Sequence, residues 1–395
     1  MLRGTRIICI ASIDWAFNWQ LPQEVASAFA AAGNHVLFVE NTGIRQPSLK
    51  DVSRLRTRFV NWLRAKRGIK TAAAGIDVFS PLLLPLPYSR IAGFINARMF
   101  VRSVRRWLAD KGSGPLIVIT FLPTPLARRV IRLLDPALVV YYCADRFAES
   151  SPGARRLHDA EHALFAEADV VLTTSWMLHE AAAKVSAHAE LLTCGVRSAE
   201  FAHERQSDQV APAVFHDLAR PVIGFAGSLR NELDLAMLSD VVELAPEMSF
   251  VLAGPVTSDM RRLSSFTNVR LVGGLSHQDV MRYLAQFDVG ILPYAQNAFT
   301  AALMPMKLKE YLAAGLPVVS TPIPEVRHFA AQHPGVVNFA EDAAGFVAAL
   351  RAAAGANGTE AIAQRMEIAR GYDWSEQMSR MSELMKSALA AKRVP

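Results

Sequence analysis

The run Met304-Pro305-Met306-Lys307-Leu308-Lys309-Glu310-Tyr311-Leu312-Ala313-Ala314-Gly315-Leu316-Pro317-Val318-Val319 holds the densest set of side chains able to do chemistry. Pro305 suits a helix start and Gly315 its end. On that helix Lys307, Glu310, Tyr311 and Ala314 share one side, and Leu308 and Leu312 face away. The free N–H groups and positive dipole of a helix N-terminus make an anion site. One turn further in, a carboxylate can accept two hydrogen bonds from a vicinal diol such as a ribose. Lys307 would add charge beside a phosphate. The competing reading is an ordinary surface Lys–Glu pair three positions apart, which is common and weak.

A second constellation is His158-Asp159-Ala160-Glu161-His162. It fits His-x-x-Glu-His, which on a helix would put two imidazoles on one face with a carboxylate beside them, as in a zinc hydrolase. The pattern has three fixed positions and no identified third ligand, so chance accounts for it as well. The phosphate-binding Gly-x-x-x-x-Gly-Lys-[Ser/Thr], the dinucleotide Gly-x-Gly-x-x-Gly and the Gly-x-Ser-x-Gly elbow are all absent. Cys9, Cys143 and Cys194 cannot all pair, and each adjoins a strand-like segment, so reduced thiols of a cytoplasmic protein are expected.

These residues need a scaffold, and strand–helix alternation supplies one twice. Arg6–Ile10 reads as a short apolar strand, followed by an aromatic-rich loop, 12–21, and a helix opened by Pro22 and closed near Gly33. Further strands are expected at His35–Val39, Leu116–Thr120, Leu138–Tyr142 and Val170–Thr173. After a polar, proline-containing stretch at 203–220 the pattern restarts. Strands fall at Val222–Ala226, Ser249–Ala253, Val269–Val272, Val289–Leu292 and Pro317–Ser320, with a Ser276/Asp279 capping box between the third and fourth. Short apolar strands separated by helices imply parallel sheets covered on both faces. The fold class expected is α/β: two doubly wound, Rossmann-like domains facing across a cleft at the carboxyl ends of their sheets. The expected domains are 1–205, 206–371 and a terminal helix, 372–395, crossing back to the first.

The chain has 395 residues, half of them apolar and a fifth charged, which excludes disorder and a small disulfide scaffold. No apolar run reaches the roughly 18 residues that span a bilayer, and Ile7–Ile10 is too short for a signal-peptide core. The net charge is +6, and the excess lies in two stretches, 45–70 and 90–111. Val52, Leu55, Phe59 and Trp62 in the first, and Ile91, Phe94, Ile95, Met99 and Trp107 in the second, recur at helical spacing among arginines. Such helices can lie on an anionic membrane surface, or face a core with a solvated basic side. No nucleic-acid motif accompanies the charge.

The run at 304–319 resembles the nucleotide-sugar site of GT-B fold glycosyltransferases of the family 4 (group 1) type, whose usual form is Pro-x-Lys-x-x-Glu-x-x-Ala-x-Gly-x-Pro-Val-Val. The resemblance extends over most of the chain. Gly227 is similar to that family's phosphate-facing glycine, and Ala253-Gly254-Pro255 and Val272–Leu275 to its next two strand ends. Ala189–Phe201 resembles its interdomain element, with Cys194 and Arg197 in place of Asn and Asp. Tyr372-Asp373-Trp374-Ser375 resembles the start of its final helix. The opening Ile13-Asp14-Trp15 and Trp19-Gln20-Leu21-Pro22-Gln23 resemble a subgroup linked to exopolysaccharide and teichuronic-acid synthesis. Ala302 stands where the family has a first glutamate, Ser228 and Leu233 where it has Arg and Lys, and Thr120 about where many members carry His.

The resemblance implies transfer of a sugar, with retention, from a nucleotide sugar to a lipid-linked or polysaccharide acceptor hydroxyl, with no cofactor and no metal. Glu310 would hold the ribose. Arg230, Lys307 and backbone N–H groups near Gly227, Ser228, Gly254, Met304, Pro305 and Met306 would hold the phosphates. Asp14, Trp15, Asn18 and Gln20 would meet the acceptor. Asp145 would contact acceptor or donor sugar, unless it only caps a helix. A sugar-nucleotide epimerase, a non-catalytic nucleotide-binding member and, remotely, a zinc hydrolase through His158, Glu161 and His162 are the alternatives.

Overall fold

A computed structural model of the chain describes residues 1–16, 19–42, 68–84, 86, 89–146, 154–206 and 210–392. The basic stretch 45–67 and Asn18 lie outside the described residues. Packing divides the chain into two units, residues 1–192 with 378–395 and residues 193–377. The first division falls earlier than the expected 205/206. Val196 and Phe201 are buried in the second unit's core, and the Val196 N–H donates to Tyr372 O at 2.9 Å. The polar stretch 203–220 therefore lies within the second unit.

The first unit is built on an eight-stranded sheet. Its strands are β1 (Arg6–Ile10), β2 (His35–Val39), β3 (Ile69–Ala73), β4 (Ile76–Phe79), β5 (Leu116–Thr120), β6 (Leu138–Cys143), β7 (Val170–Thr173) and β8 (Ala189–Leu191). Their order is β3-β4-β2-β1-β5-β6-β7-β8. All pairs are parallel except the edge pair β3–β4. The central strands are continuous apolar runs because both faces are covered, and Ile7, Val36, Ile117 and Val140 are fully buried. Helices start where polar side chains satisfy the first N–H groups: Ser89 for Arg90–Ala109, Thr124 for Pro125–Leu134 and Ser175 for Trp176–Ala183. The end of the chain returns to this unit, where Ser382 Oγ accepts from Leu2 N and Lys392 pairs with Asp169.

One expected face needs correction. In helix Arg90–Ala109 the buried side is Ala92, Asn96, Ala97, Phe100, Val101, Val104 and Trp107. Ile91, Phe94, Ile95 and Met99 are exposed on the other side, so they do not share an apolar face with Trp107. Large apolar groups lie on the outer side in the first half and on the inner side, at Phe100, Val101, Val104 and Trp107, in the second, so periodicity alone could not assign its inner side.

The second unit has six parallel strands: β9 (Val222–Ala226), β10 (Ser249–Ala253), β11 (Val269–Gly273), β12 (Val289–Leu292), β13 (Val318–Ser320) and β14 (Val337–Phe339). Their order is β11-β10-β9-β12-β13-β14. The chain winds outward from β9 in one direction and from β12 in the other. The carboxyl ends of β9 and β12 thus flank a topological switch point, where open α/β sheets bind ligands. In the first unit β1 and β5 hold the equivalent place.

Candidate functional site

At the second unit's switch point, β9 ends in Ala226 and the chain turns sharply through Gly227 and Ser228. The Gly227 N–H donates to Ala253 O at 2.7 Å, and Leu229 N to Pro255 O at 2.9 Å, so this loop lies along the end of β10. A Cβ on Gly254 would fall 1.9 Å from Gly227 O and 3.2 Å from Ser228 N. A Cβ on Gly227 would fall 1.8 Å from Lys307 Cε and 2.4 Å from its Nζ. Two glycines thus let two backbones and one ammonium meet in a space with no room for a side chain. The Lys307 ammonium also stands 5.4 Å from the Phe225 ring centroid.

The helix that delivers Lys307 spans Met306–Ala313, with Pro305 at its N-cap. Met306 and Lys307 are its first residues, so their N–H groups have no carbonyl within the helix to bond. Thr300 fixes the approach to this end: its Oγ1 donates to Ala295 O and accepts from Asn297 N, while Asn297 Oδ1 caps Phe299 and Thr300. Ala302, where the resembled family has a carboxylate, is buried in this turn. Glu310 lies one turn beyond Lys307 on the same half-buried side.

Tyr311 departs from expectation. It is fully buried: its ring packs against Gly290, and its hydroxyl accepts from Ala226 N at 3.1 Å. It therefore fastens this helix to the strand end that precedes Gly227. Burial pushes the phenol well above its ordinary pKa, so it stays neutral. Arg230 stands in the same loop, more than half exposed, its guanidinium 3.2 Å from Glu232.

Lys309 was not visible as special in the sequence, because an alternating Lys-Leu-Lys-Glu run reads as surface charge. It is 1% exposed. Its ammonium donates to Thr193 Oγ1 at 2.7 Å and Cys194 O at 2.5 Å, and lies 4.4 Å from the Tyr372 ring centroid. Burial pulls its pKa down to about 8. Asp373 is a second omission. Burial alone would raise its carboxyl, but hydrogen bonds from Ser375 and Ser198 hold it below the usual range.

In the first unit the loop after β1 carries the expected acceptor-side residues. Trp15 N donates to Glu40 Oε1 at 3.1 Å, and its ring meets Trp19 and Phe38 edge-on at 5.9 and 5.0 Å. Trp19 is 46% exposed, and its Nε1 donates to Glu24 Oε2. Gln20 N donates to Gln23 Oε1, and Gln23 Nε2 to Trp15 O. Asp14 is half-buried in the same loop. Buried Gln23, Glu24 and Glu40, none of them expected as site residues, hold this loop in place.

Asp145 follows β6 beside a buried trio. Glu161 Oε1 accepts from Tyr141 OH at 2.8 Å and lies 3.8 Å from Cys143 Sγ. Burial raises the pKa of Glu161, and burial with its neighbours raises those of Tyr141 and Cys143. This overturns the zinc reading. Glu161 turns inward to Tyr141, whereas His158 and His162 are exposed, and no group of metal-ligating side chains exists among the described residues. The cysteines are free; burial pushes Cys9 up to about 12.

Residues 220–355 match the model of the family described as glycosyl transferases group 1. The matched stretch lies within the second unit and holds Gly227, Gly254, Lys307 and Glu310. The chain is also similar, at 30% identity over 257 residues, to TuaH of Bacillus subtilis (strain 168), provisionally named as a teichuronic acid biosynthesis glycosyltransferase. The match covers 60% of this chain and spans 64% of that relative's length. Among solved structures, sucrose-phosphate synthase of Thermosynechococcus elongatus superposes with a TM-score of 0.71 at 19% identity, covering 98% of this chain and 100% of that one. HepE of Anabaena, crystallised with UDP, gives 0.65 at 10% identity, covering 97% and 99%. These likenesses establish the GT-B fold, with two Rossmann-like units.

Proposed function

We propose that the chain is a glycosyltransferase that moves a sugar from a nucleotide sugar to a hydroxyl of a lipid-linked or polysaccharide acceptor in cell-surface polysaccharide synthesis. The observation that carries this reading is the meeting of Lys307 with Gly227 and Gly254 at a switch point, beside a free helix N-terminus. A cation and backbone donors converging where no Cβ fits suit a diphosphate, whose charge grows as the sugar leaves. Arg230 adds a second cation to the same loop. Glu310, one turn along, accepts from the ribose hydroxyls. Lys307 and the helix end supply the stabilising charge, so the reading takes no metal. HepE binds UDP in its crystal, and a nucleoside diphosphate is the leaving group proposed for this chain. The relationship to TuaH supports a cell-surface polysaccharide as the product. In the first unit, Trp15, Trp19, Gln20, Asp14 and Asp145 offer the acceptor sugar aromatic surface and hydrogen bonds. Departure and return on the same face of the sugar give retention.

The test is calorimetric titration with nucleoside diphosphates, then incubation with nucleotide sugars. Glu310→Ala should weaken binding by about 1–3 kcal/mol, the range for hydrogen bonds to a charged group. Slow release of free nucleotide from a nucleotide sugar supports transfer. Interconversion of the sugar supports epimerisation, and binding without turnover a non-catalytic member. Unchanged affinity in Glu310→Ala removes Glu310 from the site.

A further inference from the structure

Helix Arg90–Ala109 divides its outward face into two halves of different chemistry. It carries five arginines and no acidic residue. Opposite its buried side, the first turns expose Ile91 at 76%, Phe94 at 48%, Ile95 at 40% and Met99 at 45%. These are spaced i, i+3, i+4 and i+8, so they form one row. Leu84 and Leu86, just before the helix, are exposed as well. The later turns of the same face carry Arg98, Arg102, Arg105 and Arg106, which with Leu133 line an open concavity of about 640 Å³.

Single exposed apolar side chains are ordinary, but a row of four with two leucines beside it needs a partner. The arginines narrow the choice. On the adjacent helix Pro125–Leu134, Arg128 and Arg132 are both neutralised by Glu167, at 2.5 and 2.6 Å. Among the described residues no carboxylate pairs with Arg98, Arg102 or Arg105. Arg105 donates to Leu133 O at 3.0 Å, and Arg98 lies 4.2 Å from the Phe94 ring centroid. A second copy of this face would set arginine against arginine, a repulsive contact. An acidic protein would pair with the arginines and leave the apolar turns unexplained. An anionic bilayer satisfies both halves: apolar turns sink below the headgroups, and guanidinium groups fork onto the lipid phosphates.

We propose that helix Arg90–Ala109 lies on an anionic lipid surface, with Ile91, Phe94, Ile95 and Met99 inserted and Arg98, Arg102, Arg105 and Arg106 on the headgroups. This inference stands independently of the donor site and supplies the surface on which a lipid-linked acceptor would be met.

The experiment is cosedimentation of the full chain with vesicles of phosphatidylcholine alone or mixed with phosphatidylglycerol. The protein should pellet with the mixed vesicles and stay in solution with the neutral ones. Arg98→Gln/Arg102→Gln/Arg105→Gln should lower partitioning roughly a hundredfold, at about fivefold per arginine. Ile91→Gln/Phe94→Gln/Ile95→Gln should still adsorb at low salt but be stripped by high salt, whereas the parent resists. All substituted side chains are outward, so thermal melts should match the parent's. Equal pelleting with both vesicle types, or no effect of either triple variant, overturns the proposal. So does lipid-free dimerisation abolished by Phe94→Gln, which would make the face a protein contact. Vesicle binding is read without nucleotide, so failure of the donor site would leave this result standing.

Discussion

The two switch points are built for opposite chemistries. In the second unit, the loop after β9 is stripped of side chains at Gly227 and Gly254 and closed by a cation, Lys307. In the first, the loop after β1 is crowded with Trp15 and Trp19 and held by two carboxylates, Glu24 and Glu40, and a glutamine, Gln23. A backbone-lined space with a positive charge suits a diphosphate. Aromatic edges suit a neutral, hydroxyl-rich molecule. On the proposed reading one topology then offers two sites, and the residues at the strand ends decide what each accepts.

The contrast can be broken most severely at Gly254. An added methyl meets backbone, Gly227 O, and cannot be relieved by a rotamer change. Gly254→Ala should cost on the order of 3 kcal/mol of stability, and donor affinity with it, in denaturant titrations. Lys307→Met separates site from scaffold. The side chain is half-buried, so stability should stay near the parent's, while nucleoside diphosphate affinity falls by roughly 2 kcal/mol in calorimetry. On the other side, Glu40→Gln converts an acceptor of both Trp15 N and Ser80 Oγ into a group with one acceptor oxygen. It should cost about 1 kcal/mol of stability and leave nucleotide affinity unchanged.

The smallest effect tests the support behind the donor helix. Burial lowers the Lys309 pKa to about 8 from the ordinary 10.5, so its charged form is disfavoured in the fold. Between those values the unfolded chain holds a proton that the folded chain has released, and stability rises with pH. From pH 7.5 to 8.5 the parent should gain a little under 1 kcal/mol relative to Lys309→Met, measured by chemical denaturation. Parallel pH profiles would mean that Lys309 does not titrate in the fold. Glu161 is the converse case: burial raises its pKa, so its contribution is complete in acid and is lost as pH rises through the raised value.

Much of the scaffold was legible because parallel strands announce themselves as short apolar runs between helices. β3, β4, β8 and β14 were not, since β3 is an exposed antiparallel edge and β4, β8 and β14 each carry a polar residue, Asp77, Glu190 and Asn338, inside a very short run. Gly227 and Lys307 were each readable from their place at a strand end and a helix start. Their contact across 80 positions was not, because nothing local to either encodes it. Lys309 and Tyr311 show the same limit from the inside. Each looks like a face residue of a polar helix, and each is buried by segments distant in sequence, Thr193-Cys194 and the end of β9. The outward side of Arg90–Ala109 was misread because both of its faces carry large apolar groups.

Diffraction from crystals soaked with a nucleoside diphosphate tests the assignment most directly. The phosphates should appear between Gly227 and the start of helix Met306–Ala313, within hydrogen-bonding distance of Lys307 Nζ, with the ribose against Glu310. Phosphate density beside Trp15 and Glu40, with the second unit's switch point empty, would contradict it.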